Sequence, residues 1–155
     1  KEFLDAKQYC FRLLRVRQRS KAELATRLKQ KKYSIGTTKR ILQYLAKISL
    51  VDDAKFTREW IEQRLNNNYG KNRIILELKI KGVPDALIDD QLRSALDNYD
   101  ESEVANRQAQ KYIKLYRNLE PSVIQRRLYG HLIRKGFSEG TVQNIVNHYD
   151  NERNS

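Results

Sequence analysis

Apolar residues in this chain recur at helical spacing and break off at the same kind of place three times. In "RLKQKKYS", "ELKIKGVPD" and "HLIRKGFS" a run with helix-like period stops at basic residues. One hydrophobic residue follows (Tyr33, Val83 or Phe137), then Ser34, Pro84 or Ser138, each a residue type that starts helices. Aligned on that hydrophobic residue, the copies match at other positions too. Nine residues upstream lie Leu24, Ile74 and Leu128; five upstream lie Leu28, Leu78 and Leu132; nine downstream lie Leu42, Leu92 and Val146. The copies are spaced by 50 and then 54 residues, which is an internal repeat long enough for three short helices.

The pattern predicts where those helices fall. Ala6, Cys10, Leu13 and Leu14 make a first apolar face, Leu24 and Leu28 a second, and Ile41, Leu42, Leu45 and Ile48 a third. Ser20-Lys-Ala-Glu23 reads as a capping box between the first two. Asp52-Asp53 opens a helix with Phe56, Trp60 and Ile61 on its apolar face, followed by a loop from Asn66 to Gly70. Ile74, Ile75 and Leu78 come next, then Leu87, Ile88, Leu92 and Leu96. Val104, Tyr112, Ile113 and Tyr116 precede Pro121; Leu128 with Leu132, and Val142, Ile145, Val146 and Tyr149, complete the set. Gly82 and Gly136 suit helix C-caps at positive φ, a position the first copy gives to Lys32. The expected fold is all-α: three tandem three-helix repeats in an elongated, curved array, since a unit of about 50 residues buries a marginal core alone. The boundaries are 1–50 for a basic first repeat, 51–100 for the second and 101–155 for the third.

Composition supports a helical reading. Of 155 residues 39% are apolar and 32% charged, with only two prolines and six glycines. Few segments alternate as half-buried strands do, which argues against a sheet. No apolar run approaches the roughly 18 residues of a membrane span, and no signal-like segment opens the chain. Its start at Lys1 rather than methionine is read as a trimmed leader or N-terminal piece. The lone Cys10 rules out an internal disulfide and suits a reducing compartment, so the expected location is cytoplasmic, with no membrane partner.

Charge changes the picture more. Residues 1–50 hold 14 Lys+Arg against 3 Asp+Glu, a net of +11; residues 51–100 come to −2 and residues 101–155 to +3. Such polarity points to an anionic partner at one end, either nucleic acid or an acidic protein surface. Arg12, Arg15, Arg17, Arg19 and Lys21 crowd the first helix and its exit, and Lys29, Lys31, Lys32, Lys39 and Arg40 follow. Arg64, Lys71, Arg73, Lys79 and Lys81 interrupt the acidic middle, with Tyr69 as the surface aromatic beside Gly70; Trp60 and Phe56 read as core. The plainer alternative is a solvated basic face. Nothing in the pattern indicates reading of base edges.

Reactive chemistry is hard to find. His131 and His148 belong to different helices, and neither is expected to have a Cys or a carboxylate at a ligand spacing such as i+4. Cys10 lies on an apolar face. "YGKN" lacks the earlier glycine and the Ser/Thr of a phosphate loop. Asp85, Asp89 and Asp90 are better read as acids at a helix N-terminus than as a cation site. No enzyme, metal or cofactor is expected. A free-standing helix-turn-helix protein that binds DNA is the main rival. The starts of the third helices, Ile35-Gly-Thr, Asp85-Ala-Leu and Glu139-Gly-Thr, lack the Arg, Asn or Gln such a reader needs. A purely structural repeat scaffold is a further alternative.

Three pieces of the chain resemble the RecX regulators of the bacterial recombinase RecA: "RSKAEL" with Leu28 (19–28), "LVDDAKFTREWI" (50–61) and "YGKNRIILELKIKGV" (69–83). Leu-Val-Asp-Asp-x-x-Phe, Gly-x-x-Arg-Ile and Lys-Gly-Val are specific in combination. The likeness extends over essentially the whole chain, and in the third repeat only "HLIRKGF" is close. Lys71 departs from the pattern, which has proline after this glycine. The resemblance implies tandem three-helix repeats and a partner, the RecA–DNA filament. Members of the family lodge in its helical groove and restrain ATP hydrolysis, strand exchange and coprotease activity, usually as inhibitors. It also implies a role in DNA recombination, repair and the SOS response, carried out as a monomer. Single- or double-stranded DNA would be bound weakly and without sequence preference. The expected filament- and DNA-binding residues are Arg12, Arg15, Arg17, Arg19, Lys21, Lys31, Lys32, Arg64, Tyr69, Lys71, Arg73 and Lys81.

Overall fold

A computed structural model describes all 155 residues, as nine helices and no strand. The first repeat holds α1 (Glu2–Val16), α2 (Lys21–Gln30) and α3 (Ile35–Lys47). The second holds α4 (Asp53–Asn66), α5 (Lys71–Ile80) and α6 (Asp85–Ala95). The third holds α7 (Glu101–Leu115), α8 (Pro121–Lys135) and α9 (Glu139–Asn154). All nine aligned positions are buried, from 0% exposure at Leu24, Ile74 and Leu128 to 9% at Leu42. Ala6, Cys10, Leu24, Leu28, Ile41 and Leu45 centre the first core. Val104, Ala109, Leu128, Leu132, Phe137 and Val142 centre that of the third repeat. Ile48 and Tyr116, expected on apolar faces, are 42% and 37% exposed. Each is the C-cap residue just past its helix, where the apolar stripe has already turned away from the core.

The repeated turn is one hydrogen-bonding motif used three times. Tyr33, Val83 and Phe137 donate their N–H groups to the carbonyls of Leu28, Leu78 and Leu132 at 3.2, 3.1 and 3.2 Å. Lys32, Gly82 and Gly136 donate to Lys29, Lys79 and Ile133 at 2.9, 2.9 and 3.0 Å. These paired bonds satisfy orphan carbonyls of the last helical turn and demand a left-handed residue. The φ angles are 64° at Lys32, 74° at Gly82 and 97° at Gly136. The Ser20–Glu23 capping box is present, and Asp52 accepts from the N–H of Lys55 at 3.1 Å to cap α4. The third helices of the outer repeats are also anchored alike. Glu2 accepts from Ser34 and Thr37, and Glu101 accepts from Ser138 and Thr141.

Close contacts gather the chain into two compact units, Lys1–Glu59 with Leu78–Arg93, and Trp60–Glu77 with Ser94–Ser155. The second repeat contributes to both. Inside the first unit, Ser20 Oγ donates to the carbonyl of Lys81 at 2.6 Å, and Gly82 sits so close to Ala22 that a side chain would collide. Inside the second, Gly70 and Asn72 donate their N–H groups to the carbonyls of Lys135 and Gly136 at 2.7 and 3.0 Å. Ser20 and Gly70 are equivalent positions of the repeat, as are Lys81 and Lys135. Each unit therefore contains the same joint, in which the start of one repeat's second helix receives the carbonyl end of the next repeat's second helix. Donors and acceptors left over at helix ends, with their opposed partial charges, satisfy each other. Lys71 donates no backbone bond in this joint, so lysine stands where proline would also serve; the flanking N–H groups hold the loop.

Candidate functional site

The basic residues separate into groups with different surroundings. In the first unit, Arg17, Arg19 and Lys81 meet with Arg27 around a cleft of about 360 Å³, floored by Ala22 and Gly82. Glu23 is the one carboxylate that lines the cleft, and it pairs with two of the four cations. Glu23 accepts from Arg17 at 2.7 and 3.2 Å, from the Ser20 N–H at 3.0 Å and from Lys81 at 3.3 Å. Burial pushes the Glu23 carboxyl up, but the Arg17 bonds, the Ser20 N–H and the Lys81 charge outweigh it and hold it at about 2. Arg19 is 9% exposed and its Nε donates to the Leu13 carbonyl at 3.4 Å, without an acid partner. Burial and the neighbouring Arg17 and Arg27 charges pull its pKa below the ordinary value.

The remaining first-repeat cations are exposed, apart from the half-buried Lys7. Arg12 and Lys31 approach the Tyr9 ring, at 5.9 and 5.7 Å from its centroid. Arg15 edges an apolar groove of about 340 Å³ lined by Phe11, Leu14 and Leu50, next to Val16, which is 78% exposed. Lys21 and Lys32 project from the ends of α2.

In the second unit, the expected middle surface is a half-buried cluster. Glu77 accepts from Trp60 Nε1 at 3.0 Å, Arg64 Nε at 2.8 Å and Arg73 Nε at 3.1 Å. Tyr69 has Arg64, Arg73 and Lys135 at 4.7, 5.2 and 4.0 Å from its ring centroid. Contacts of this kind are worth about 0.5–2 kcal/mol each depending on desolvation, so Arg64 and Arg73 help hold the fold as well as carry charge. Lys71 is exposed at the start of α5. The structure thus brings Arg17, Arg19 and Lys81 together, and separately Arg64, Tyr69 and Arg73.

Several residues escaped sequence reasoning. Local spacing marks neither Arg27 nor Lys135, and marks Glu23 only for its capping role. Glu77 had one legible signal, its i+4 spacing from Arg73. Lys111, Lys114 and Arg117 line a basic hollow of about 440 Å³ around Leu115, which is 72% exposed; "KYIKLYR" spelled it at helical spacing. One histidine differs from the expectation. His148 does have a carboxylate four residues on, Glu152, at 3.1 Å, an ordinary pair on one exposed helical face. No group of three or more His, Cys, Asp or Glu side chains is arranged to hold a metal ion. Burial pushes the Cys10 thiol up to about 11, away from the range of a nucleophile. No helix is long and apolar enough to cross a membrane.

Three family models match the chain: the first three-helix domain of RecX over residues 6–45, the second over 52–92 and the third over 99–146. Regulatory protein RecX of Mycolicibacterium smegmatis is 35% identical over 147 residues, spanning 92% of this chain and 78% of that protein. The protein of the same name from Amycolatopsis mediterranei is 30% identical over 145 residues, spanning 93% and 82%. Among solved structures, RecX from Lactobacillus salivarius superposes with a TM-score of 0.76 at 19% identity, covering 96% of this chain and 97% of that one. A second structure, of a regulatory protein RecX, gives 0.77 at 23% identity, covering 93% and 72%. At these identities the structures speak for the fold alone.

Proposed function

This chain belongs to the RecX family, and on that premise we propose that it binds RecA–DNA filaments and modulates them, chiefly by inhibition, in the bacterial cytoplasm and without chemistry of its own. The observation that carries this reading is the under-neutralised cationic surface of the first repeat, with a net of +11 over residues 1–50. Charge at that density repels itself and favours an anion nearby. Arg12, Arg15, Arg17, Arg19, Lys21, Lys31 and Lys32 supply electrostatic attachment on our reading, and Arg64, Tyr69, Lys71, Arg73 and Lys81 a second contact region. The apolar groove at Phe11, Leu14 and Leu50 favours a protein partner alongside the phosphates, because nucleic-acid backbones offer nothing to fill it. The repeats 1–50, 51–100 and 101–155 act as one monomer.

The test is ATP hydrolysis by RecA filaments on single-stranded DNA, followed as this protein is titrated in. Hydrolysis should fall and then plateau. Unchanged hydrolysis at saturating protein would remove the regulatory reading, and a sequence-specific shift of DNA without recombinase would put the helix-turn-helix reading in its place.

A further inference from the structure

We propose that the cleft between α2 and the turn after α5 is a phosphate-binding subsite that seats a phosphodiester of a nucleic-acid strand, with Arg19 and Arg27 as its principal ligands and Lys81 at its edge. The proposal deepens the filament-binding reading and rests on it for the source of the phosphate.

Four cations line the cleft and Glu23 alone opposes them, leaving three positive charges uncompensated. Both Glu23 oxygens are already engaged by Arg17, Lys81 and the Ser20 N–H, so none is left for the others. Arg19 is nine-tenths buried, and no carboxylate lies within ion-pair distance of it or of Arg27. A buried, hydrogen-bonded guanidinium without a counter-ion is costly to a fold that keeps it only for itself. The planar fork of arginine matches two oxygens of a phosphate at once.

The lining also fixes the ligand class. The volume, about 360 Å³, falls in the range of small-molecule sites, roughly 300–1,000 Å³. Thr26 and Gln30 add donors, and no aromatic ring is present to stack on a base. A site of this make-up recognises the backbone and tolerates any sequence. Its floor exists only because Gly82 lacks a side chain where Ala22 approaches, so the joint that links two repeats also shapes the cleft.

Binding of a short fluorescein-labelled dT homopolymer, read by anisotropy without recombinase, tests this separately from filament ATPase. Arg27→Gln should weaken binding roughly tenfold and lower the slope of log affinity against log salt by about 0.7, the loss of one phosphate contact on a single strand. Arg19→Gln should act in the same direction, with its thermal melt confirming that it folds. Glu23→Gln should tighten binding several-fold, because the competing carboxylate charge is gone. Lys47→Gln, an equal loss of charge on an exposed part of α3 away from the cleft, should leave the slope unchanged. Equal effects of Arg27→Gln and Lys47→Gln would overturn the proposal, as would equal binding of a neutral methylphosphonate homopolymer. Inorganic pyrophosphate binding as tightly as the homopolymer would overturn the strand as the ligand. Normal inhibition of the filament by a folded Arg27→Gln protein with unaltered homopolymer binding would dismiss the subsite and leave the regulatory function standing.

Discussion

Glu23 shows how much one side chain is asked to do. It closes the capping box of α2, pairs with Arg17 and Lys81, and moderates a cationic cleft. Burial raises its pKa, yet its partners bring the value from 4.5 to about 2. A carboxyl depressed on folding stabilises fully above its unfolded pKa, and the benefit is lost as pH falls through the folded value. Glu23 should therefore cost the protein stability between about pH 4.5 and pH 2. His131 titrates elsewhere. Burial first, then the charges of Lys135 and Arg134, lower its pKa from 6.5, while its Nε2 lies 2.8 Å from Gln108 Nε2. A histidine held neutral in the fold favours unfolding once pH drops below 6.5, so its window opens earlier. Urea midpoints measured down a pH series should fall in both windows. Glu23→Gln should flatten only the lower one, at a cost of about 1 kcal/mol at neutral pH from lost charged hydrogen bonds. An unaltered profile in that variant would show that Glu23 is not the group responsible. None of this was legible in the sequence beyond the Ser20–Glu23 spacing. Lys81 reaches Glu23 from 58 residues away, and Lys135 reaches Tyr69 from the next repeat, distances that no local pattern encodes.

At the scale of elements, the turn at the end of the middle helix of each repeat carries the architecture, and its three versions make a natural comparison. Gly136 has φ 97° and a space that Arg73 would deny to any side chain; Gly82 has φ 74° against Ala22. Lys32 adopts φ 64° with a side chain attached. A left-handed non-glycine residue costs about 1–2 kcal/mol, and the extra freedom glycine has when unfolded returns part of that. Lys32→Gly should therefore stabilise by about 0.5–1 kcal/mol, while Gly136→Ala, suffering both strain and collision, should lose more than about 2 kcal/mol. Denaturant midpoints decide; a destabilised Lys32→Gly would mean that the lysine is held by something other than its backbone. This level of the fold was readable because the repeat brings apolar residues back to the same register, and all nine aligned positions are buried. The joints were not readable. Their bonds are backbone to backbone, or from Ser20 to a carbonyl, and the sequence trace they leave is the absence of a side chain at Gly70, Gly82 and Gly136.

The molecule as a whole carries a net charge of +12, and the structure distributes its cations unevenly between work and display. Arg17, Arg64 and Arg73 are tied to carboxylates, so substituting them tests the fold as much as the surface. Arg12, Arg15, Lys21 and Lys31 are exposed and appear in no ion pair, as do Lys111, Lys114 and Arg117 in the third repeat. Those two sets separate attachment from stability. If both face phosphates when the protein sits on a filament, affinity must fall steeply with salt, because each contact on single-stranded DNA releases a counterion and contributes about −0.7 to the slope of log affinity against log salt. Neutralising the first set with glutamine should flatten the slope by about 2–3 and leave thermal stability within about 0.5 kcal/mol of the parent. Neutralising the second should flatten it by about 2 if that hollow touches the same polyanion. Sets that act at independent contacts should then add in free energy when combined. Filament co-sedimentation across a salt series provides the readout. A slope untouched by either set would mean that these faces are merely hydrated, and that attachment runs through protein contacts such as the apolar groove at Phe11, Leu14 and Leu50.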